Sequence, residues 1–201
     1  MAVRGDLEGP QALVLASTSP QRRAILEQLR IPFVAVTPSY AERDPPGLGA
    51  VELVRGHALG KARSVAGKVG ERVVLGVDTA VVCEGRVYGK AGGAAEAAAM
   101  LQALGGRAHD VVSGLCLLGP GWEVVEHDVT RVVVRALSPA DVERYVASGE
   151  WEGRAGAYAI QGLGGSLVER IEGDYLNVVG LPGALLVRLL AERFPGVYGF
   201  G

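Results

Sequence analysis

Leu13-Val14-Leu15-Ala16-Ser17-Thr18-Ser19-Pro20-Gln21-Arg22-Arg23 carries three structural signals in one short stretch. Leu13 to Ala16 is an apolar run of the length of a buried strand, and Ser19-Pro20 is the N-cap and first-position pairing that opens a helix. A strand, a hydroxyl-rich turn and a helix N-terminus together form an anion cradle. Backbone N–H groups, the hydroxyls of Ser17, Thr18 and Ser19, and two guanidiniums can meet phosphate oxygens there. Arg22 and Arg23 fall in the first turn, where the positive end of the helix dipole disfavours cations unless an anion is present. Taken alone, the segment stays open between that cradle and an ordinary capped helix with two solvated arginines.

Outward from this stretch, the pattern predicts a helix to about Leu29 and a strand at Phe33 to Val36. The polar, Pro- and Gly-rich stretch Thr37 to Gly49 reads as a long functional loop. A helix follows from about Ala50 to Val69, with Val51, Val54, Ala58 and Ala62 along one face and Lys61 on a neighbouring one. Val73 to Cys83 is apolar except at Asp78-Thr79, and Glu84-Gly85-Arg86 turns it into Val87-Tyr88. A helix over Ala94 to Leu104 ends at Gly105-Gly106. A hairpin of His109 to Leu118 and Glu123 to Val134 turns at Gly119-Pro120-Gly121, and Ser138-Pro139 starts a helix to about Ala147. Gly149 to Gly165 reads as glycine-rich loop, Ser166 to Ile171 as a strand, and the residues after Pro182 as a last helix to about Arg193. Strands alternating with helices predict an α/β fold with a mixed sheet.

The 201 residues suffice for a sizeable core, and the net charge of −2 excludes a global basic field for nucleic acid. Cys83 and Cys116 each lie within an apolar run, which suits buried strand thiols better than a disulfide or a metal site. No run reaches the roughly 20 apolar residues that span a bilayer, and the N-terminus lacks a signal-peptide core, so a soluble cytoplasmic protein is expected.

Among polar residues, Asp78 stands out, because a carboxylate within an apolar strand is costly without a partner or a task. It reads as meeting a metal, a cation or a reacting water, against a structural aspartate bonded to a turn amide. Glu42 in the long loop is the natural second carboxylate, since a phosphate-bound Mg²⁺ commonly takes one or two from the protein. Lys61 sits in GHALGKAR, which lacks the spacing and the Ser or Thr of a phosphate-binding P-loop. With Lys90 and Arg22 it completes a set of cations that a triphosphate and its metal require, although each lysine alone reads first as a solvated charge. His57, His109 and His127 have no metal-ligand spacing and take no role. Tyr158 and Gln161 have the chemistry to meet a base edge, or form a glycine-rich corner, and Asn177, Gly180 and Pro182 read equally as turn chemistry.

LASTSPQRR (15–23), GVDTAVV (76–82), YGK (88–90), SGEWEGRAGAYAIQG (148–162) and GDYLNVVGLP (173–182) follow one another across nearly the whole chain. In these blocks the sequence resembles the Maf-like nucleoside triphosphate pyrophosphatases. The resemblance implies a fold of the Maf and inosine triphosphatase kind: one domain over 1–201 with a mixed central sheet flanked by helices, two lobes and a deep cleft, with loose termini at 1–10 and 195–201. It implies hydrolysis of dTTP, UTP and modified pyrimidine nucleotides to the monophosphate and pyrophosphate, with Mg²⁺ or Mn²⁺, in nucleotide-pool housekeeping. Asp78 then takes the family's place as proton acceptor and, with Glu42, as metal ligand, while Ser17, Arg22, Lys61 and Lys90 grip the phosphates. Thr79 and Gln161 match the dTTP and UTP branch; Gln21, another specificity position, departs from that branch's arginine. The nucleotide is the implied partner, together with a second copy of the chain, and neither nucleic acid nor membrane is expected. The alternatives are the branch acting on 7-methyl-GTP and a nucleotide-binding regulator of septum formation.

Overall fold

A computed structural model describes residues 12–45 and 47–200, so the terminus expected to be loose at 1–10 lies outside the described residues. The first strand, β1 (Leu13–Ala16), is wholly buried, as its unbroken apolar run requires. It pairs in parallel with β2 (Phe33–Val36), Leu13 opposite Phe33, and with β3 (Val74–Cys83), Val14 opposite Val74. Between these strands run α1 (Pro20–Gln28) and α2 (Ala50–Ala66). After β3, Glu84 and Gly85 both take positive φ (50° and 77°), the backbone of a tight hairpin turn, and deliver β4 (Arg86–Tyr88) antiparallel to β3. There follow α3 (Ala94–Leu104), the hairpin strands β5 (Ala108–Gly119) and β6 (Trp122–Val134), α4 (Pro139–Ala147), a 3₁₀ turn (Leu163–Leu167), β7 (Val168–Glu172), α5 (Tyr175–Val179) and α6 (Gly183–Arg193). The sheet is mixed, in the order β2-β1-β3-β5-β6-β7 with β4 beside β3.

Two compact units share this chain. The first comprises Met1–Asp78, Ser113–Asp128 and Gly180–Gly201; the second comprises Thr79–Val112 and Val129–Val179. In the first unit, Val14, Ala16, Ala58, Ala62, Val65, Val74 and Cys116 form a closed core. Here α2 approaches the sheet unusually closely. A Cβ at Gly76 would overlap the Ala58 carbonyl oxygen, and one at Gly114 would overlap the Val54 carbonyl. The tail expected to be loose at 195–201 is instead folded through residue 200. Gly196 N donates to the Phe200 carbonyl at 2.7 Å, Tyr198 is buried, and Phe194 packs against both Tyr198 and Trp122.

In the second unit, α3 and α4 pack Ala97, Met100, Leu101, Leu104, Val142 and Tyr145 with strand residues Val81, Cys83, Val111, Val132 and Val134. The Ser138 N-cap and Asp141 form a reciprocal capping box at α4. Hydrogen bonds from Arg135 and from the Ser138 backbone and hydroxyl hold the Asp141 carboxyl well below the usual range. Both cysteines are buried free thiols, as their apolar neighbours require. The GDYLN stretch, whose Asn177 reads equally as turn chemistry, contains the short helix α5, and Asn177 is fully buried. Its Nδ2 donates to the Val111 carbonyl (3.1 Å) and to Thr130 Oγ1 (3.0 Å), so a tertiary anchor, invisible in local sequence, stabilises the turn of helix.

The buried His109 ring hydrogen-bonds through Nε2 to the Tyr158 hydroxyl at 2.8 Å. Desolvation lowers its pKa from 6.5 to about 4. Between these values the unfolded chain binds a proton that the folded chain refuses, so stability falls as pH drops from about 6.5 toward 4. Urea melts at pH 7 and pH 4.5 should differ by up to about 3 kcal/mol from this residue, and His109→Gln should flatten that slope. Gly76→Ala is expected to cost about 1–3 kcal/mol in the same assay, because α2 must retreat from β3.

Candidate active site

Asp78 stands in β3 two residues beyond Gly76, on the same face of the strand. The missing side chain at Gly76 lets α2 settle onto that face, and this brings Lys61 of α2 to the aspartate. Lys61 Nζ donates to Asp78 Oδ1 at 2.5 Å and lies 2.7 Å from Glu42 Oε1. One ammonium thus joins the two carboxylates that the sequence singled out. Lys61 is buried and Asp78 mostly so, while half of the Glu42 side chain faces solvent. A buried ammonium demands such partners, and its charge offsets the repulsion between the carboxylates.

The cradle forms beside this cluster within the same unit. Ser19 caps α1 by accepting from Arg22 N, and its hydroxyl donates to Gln21 Oε1 at 3.2 Å. Ser17 is buried, and its Oγ accepts from Ser19 N (3.1 Å) and from Arg22 Nη1 (3.3 Å). Arg22 Nε donates to the Gly180 carbonyl at 2.9 Å. Gly180 holds φ at 131°, a conformation that favours glycine, so the block GDYLNVVGLP serves in part to aim this arginine. Burial lowers the Arg22 pKa, while the nearby charges of Asp78 and Glu42 oppose that shift. Arg23 and Thr18, by contrast, are exposed, so of the two arginines only Arg22 is drawn into the cluster.

The loop carrying Glu42 runs along α2. Lys68 Nζ donates to Ser39 Oγ at 3.4 Å, and the Tyr40 ring lies over Gly60, where a Cβ would collide with it. Tyr40 and Asp44 both hydrogen-bond to the buried His57. The sequence alone gives His57 no role. Its signal was present as an i, i+4 pair with Lys61, readable only once the loop's path over α2 is known. Glycines 60 and 76 likewise gave no local sign of their use.

The remaining residues singled out from sequence belong to the second unit. Thr79 continues β3 directly after Asp78 and is half-buried. Lys90 is exposed, and its backbone bridges Ala155, with Gly156 N donating to the Gly89 carbonyl at 3.1 Å. YGK and EGRAGAY are therefore tied together backbone to backbone. Gln161 is exposed just before the 3₁₀ turn. That corner is held by Glu150, whose carboxylate accepts from Leu163 N (2.9 Å) and Gly164 N (3.2 Å), and by the Tyr145 hydroxyl, which accepts from Ala159 N. Gly162 leaves room for the Glu150 carboxylate, and Gly156 packs against Val81.

Among the described residues, no group of three or more His, Cys, Asp or Glu side chains is arranged to hold a metal, and no helix is long and apolar enough to cross a membrane. Glu42 and Asp78 form a pair of hard oxygen donors. That suits Mg²⁺ or Mn²⁺, which bind through one or two protein carboxylates and complete their shell with substrate phosphates and water.

Comparison with known proteins agrees with the motif order. A protein of Gloeobacter violaceus named dTTP/UTP pyrophosphatase is 48% identical over 181 residues, 90% of this chain and 95% of its own. One of the same name from Moorella thermoacetica is 49% identical over 193 residues, 93% of this chain and 97% of its own. A solved HAM1 protein from Coxiella burnetii shares the fold at 18% identity, with a TM-score of 0.50 over 90% of this chain and 99% of that one. The model of the Maf-like protein family matches residues 12–193, and the chain belongs to that family.

Proposed function

We propose that this protein hydrolyses dTTP, UTP and related pyrimidine nucleoside triphosphates to the monophosphate and pyrophosphate, clearing them from the nucleotide pool. The observation that carries this reading is the single Lys61 ammonium bonded to both Glu42 and Asp78, with Arg22 held beside them. The two relatives' shared name supports the choice of nucleotide. Asp78 accepts the proton of the attacking water as its oxygen bonds to the α-phosphorus. The bond from that phosphorus to the α–β bridging oxygen breaks, and its electron pair leaves with pyrophosphate. Lys61 and Arg22 meet phosphate oxygens, and the Ser17 hydroxyl orients Arg22 as well as offering a donor. Lys90 contributes a further cation, while Thr79, Gln161 and Gln21 set base preference.

The formal charges of Arg22, Lys61, Glu42 and Asp78 cancel, so a polyphosphate gains most when it enters with a divalent cation. Glu42 and Asp78 would hold Mg²⁺ or Mn²⁺, and the ion would supply charge neutralisation at the phosphates.

Pyrophosphate release from dTTP, UTP, CTP, GTP and 7-methyl-GTP with Mg²⁺ or Mn²⁺ tests the proposal. Turnover of dTTP and UTP is expected to exceed the rest. Asp78→Asn should lower kcat by about 10²–10⁴-fold while nucleotide binding persists. Orthophosphate as product, preference for 7-methyl-GTP, or binding without turnover would refute it.

A further inference from the structure

Three residues of the loop, Tyr40, Glu42 and Asp44, alternate along the chain, and α2 receives all three at two side chains one turn apart. Lys61 takes Glu42, and His57 takes both flanking residues: Tyr40 Oη lies 3.0 Å from Nδ1 and Asp44 Oδ1 lies 2.9 Å from Nε2. An ionised carboxylate only accepts, so Nε2 carries a proton and donates to Asp44. In the neutral ring Nδ1 is then the acceptor, and the Tyr40 hydroxyl donates to it. The Tyr40 ring also meets the imidazole edge to face at 5.7 Å and rests on the bare Gly60 backbone.

We propose that the buried His57, by clamping Tyr40 and Asp44 on either side of Glu42, is a positioning residue that holds the Glu42 carboxylate at the site. Glu42 itself is half exposed on a loop without helix or strand, and the Lys61 ammonium that it meets is carried on a long, flexible side chain. The imidazole supplies two more contacts, each two residues away, and these leave the intervening residue little freedom. The clamp thus acts on metal affinity by lowering the entropy lost when Glu42 becomes a ligand. The inference rests on the proposed metal role of Glu42.

The test is Mn²⁺ binding, followed by electron paramagnetic resonance, to the full chain with a non-hydrolysable α,β-imido analogue of dUTP. His57→Asn is expected to raise the Mn²⁺ dissociation constant by about 10-fold, as loss of a residue supporting a metal ligand typically does. Tyr40→Phe, which keeps the ring and loses only the hydroxyl, should move it the same way without unfolding the chain. In a Glu42→Gln background the effect of either change should vanish. Wild-type affinity in both variants, or an equally large loss in the Glu42→Gln background, would overturn the clamp. Failure of Glu42→Gln to weaken Mn²⁺ binding would also overturn it. Pyrophosphate release by the unaltered protein reports on the activity separately, so the two readings can fail independently.

Discussion

The arrangement at the candidate site depends on one buried ammonium. Lys61 reaches Asp78 only because α2 lies against β3 without a side chain between them, and Gly76 makes that approach possible. Once buried, the lysine must be paired, and Asp78 and Glu42 satisfy it. The same geometry serves stability and chemistry: removing Lys61 leaves two carboxylates close together without the cation that joins them.

Around that centre, nearby charges are held in place by neighbouring polar groups. The Gly180 carbonyl and the Ser17 hydroxyl aim Arg22, while Tyr40, His57 and Asp44 frame the loop of Glu42. In the second unit, Glu150 and Tyr145 hold the glycine-rich corner that presents Gln161. Long polar side chains lose considerable rotamer freedom when fixed, and supports of this kind meet that cost before a ligand arrives.

The strands and helices were largely legible because their patterns are strong and local. Ser19-Pro20 and Ser138-Pro139 start helices as capping chemistry demands, and the alternation of apolar runs with glycine turns marked β1 to β6. Two departures share one cause. The tail after Arg193 and the helix α5 depend on partners distant in sequence: Trp122 for Phe194, and Val111 and Thr130 for Asn177. Local propensity could not report either, because the stabilising contact is not local.

The amino-acid sequence by itself determined the chemical inventory: a capped helix start with Arg22, a carboxylate stranded in an apolar run at Asp78, a second in a long loop at Glu42, and scarce lysines at 61 and 90. Charges in apolar surroundings announce themselves because burial makes them costly. Only the tertiary structure decided which of these meet, joining Lys61 to both carboxylates, drawing in Arg22 but not Arg23, and giving His57 a pair of partners across the loop. Such pairings depend on how closely a helix lies on a strand and where a loop crosses it. Those distances arise from the packing of residues far apart in the chain, such as Gly76 against Ala58 and Tyr40 against Gly60.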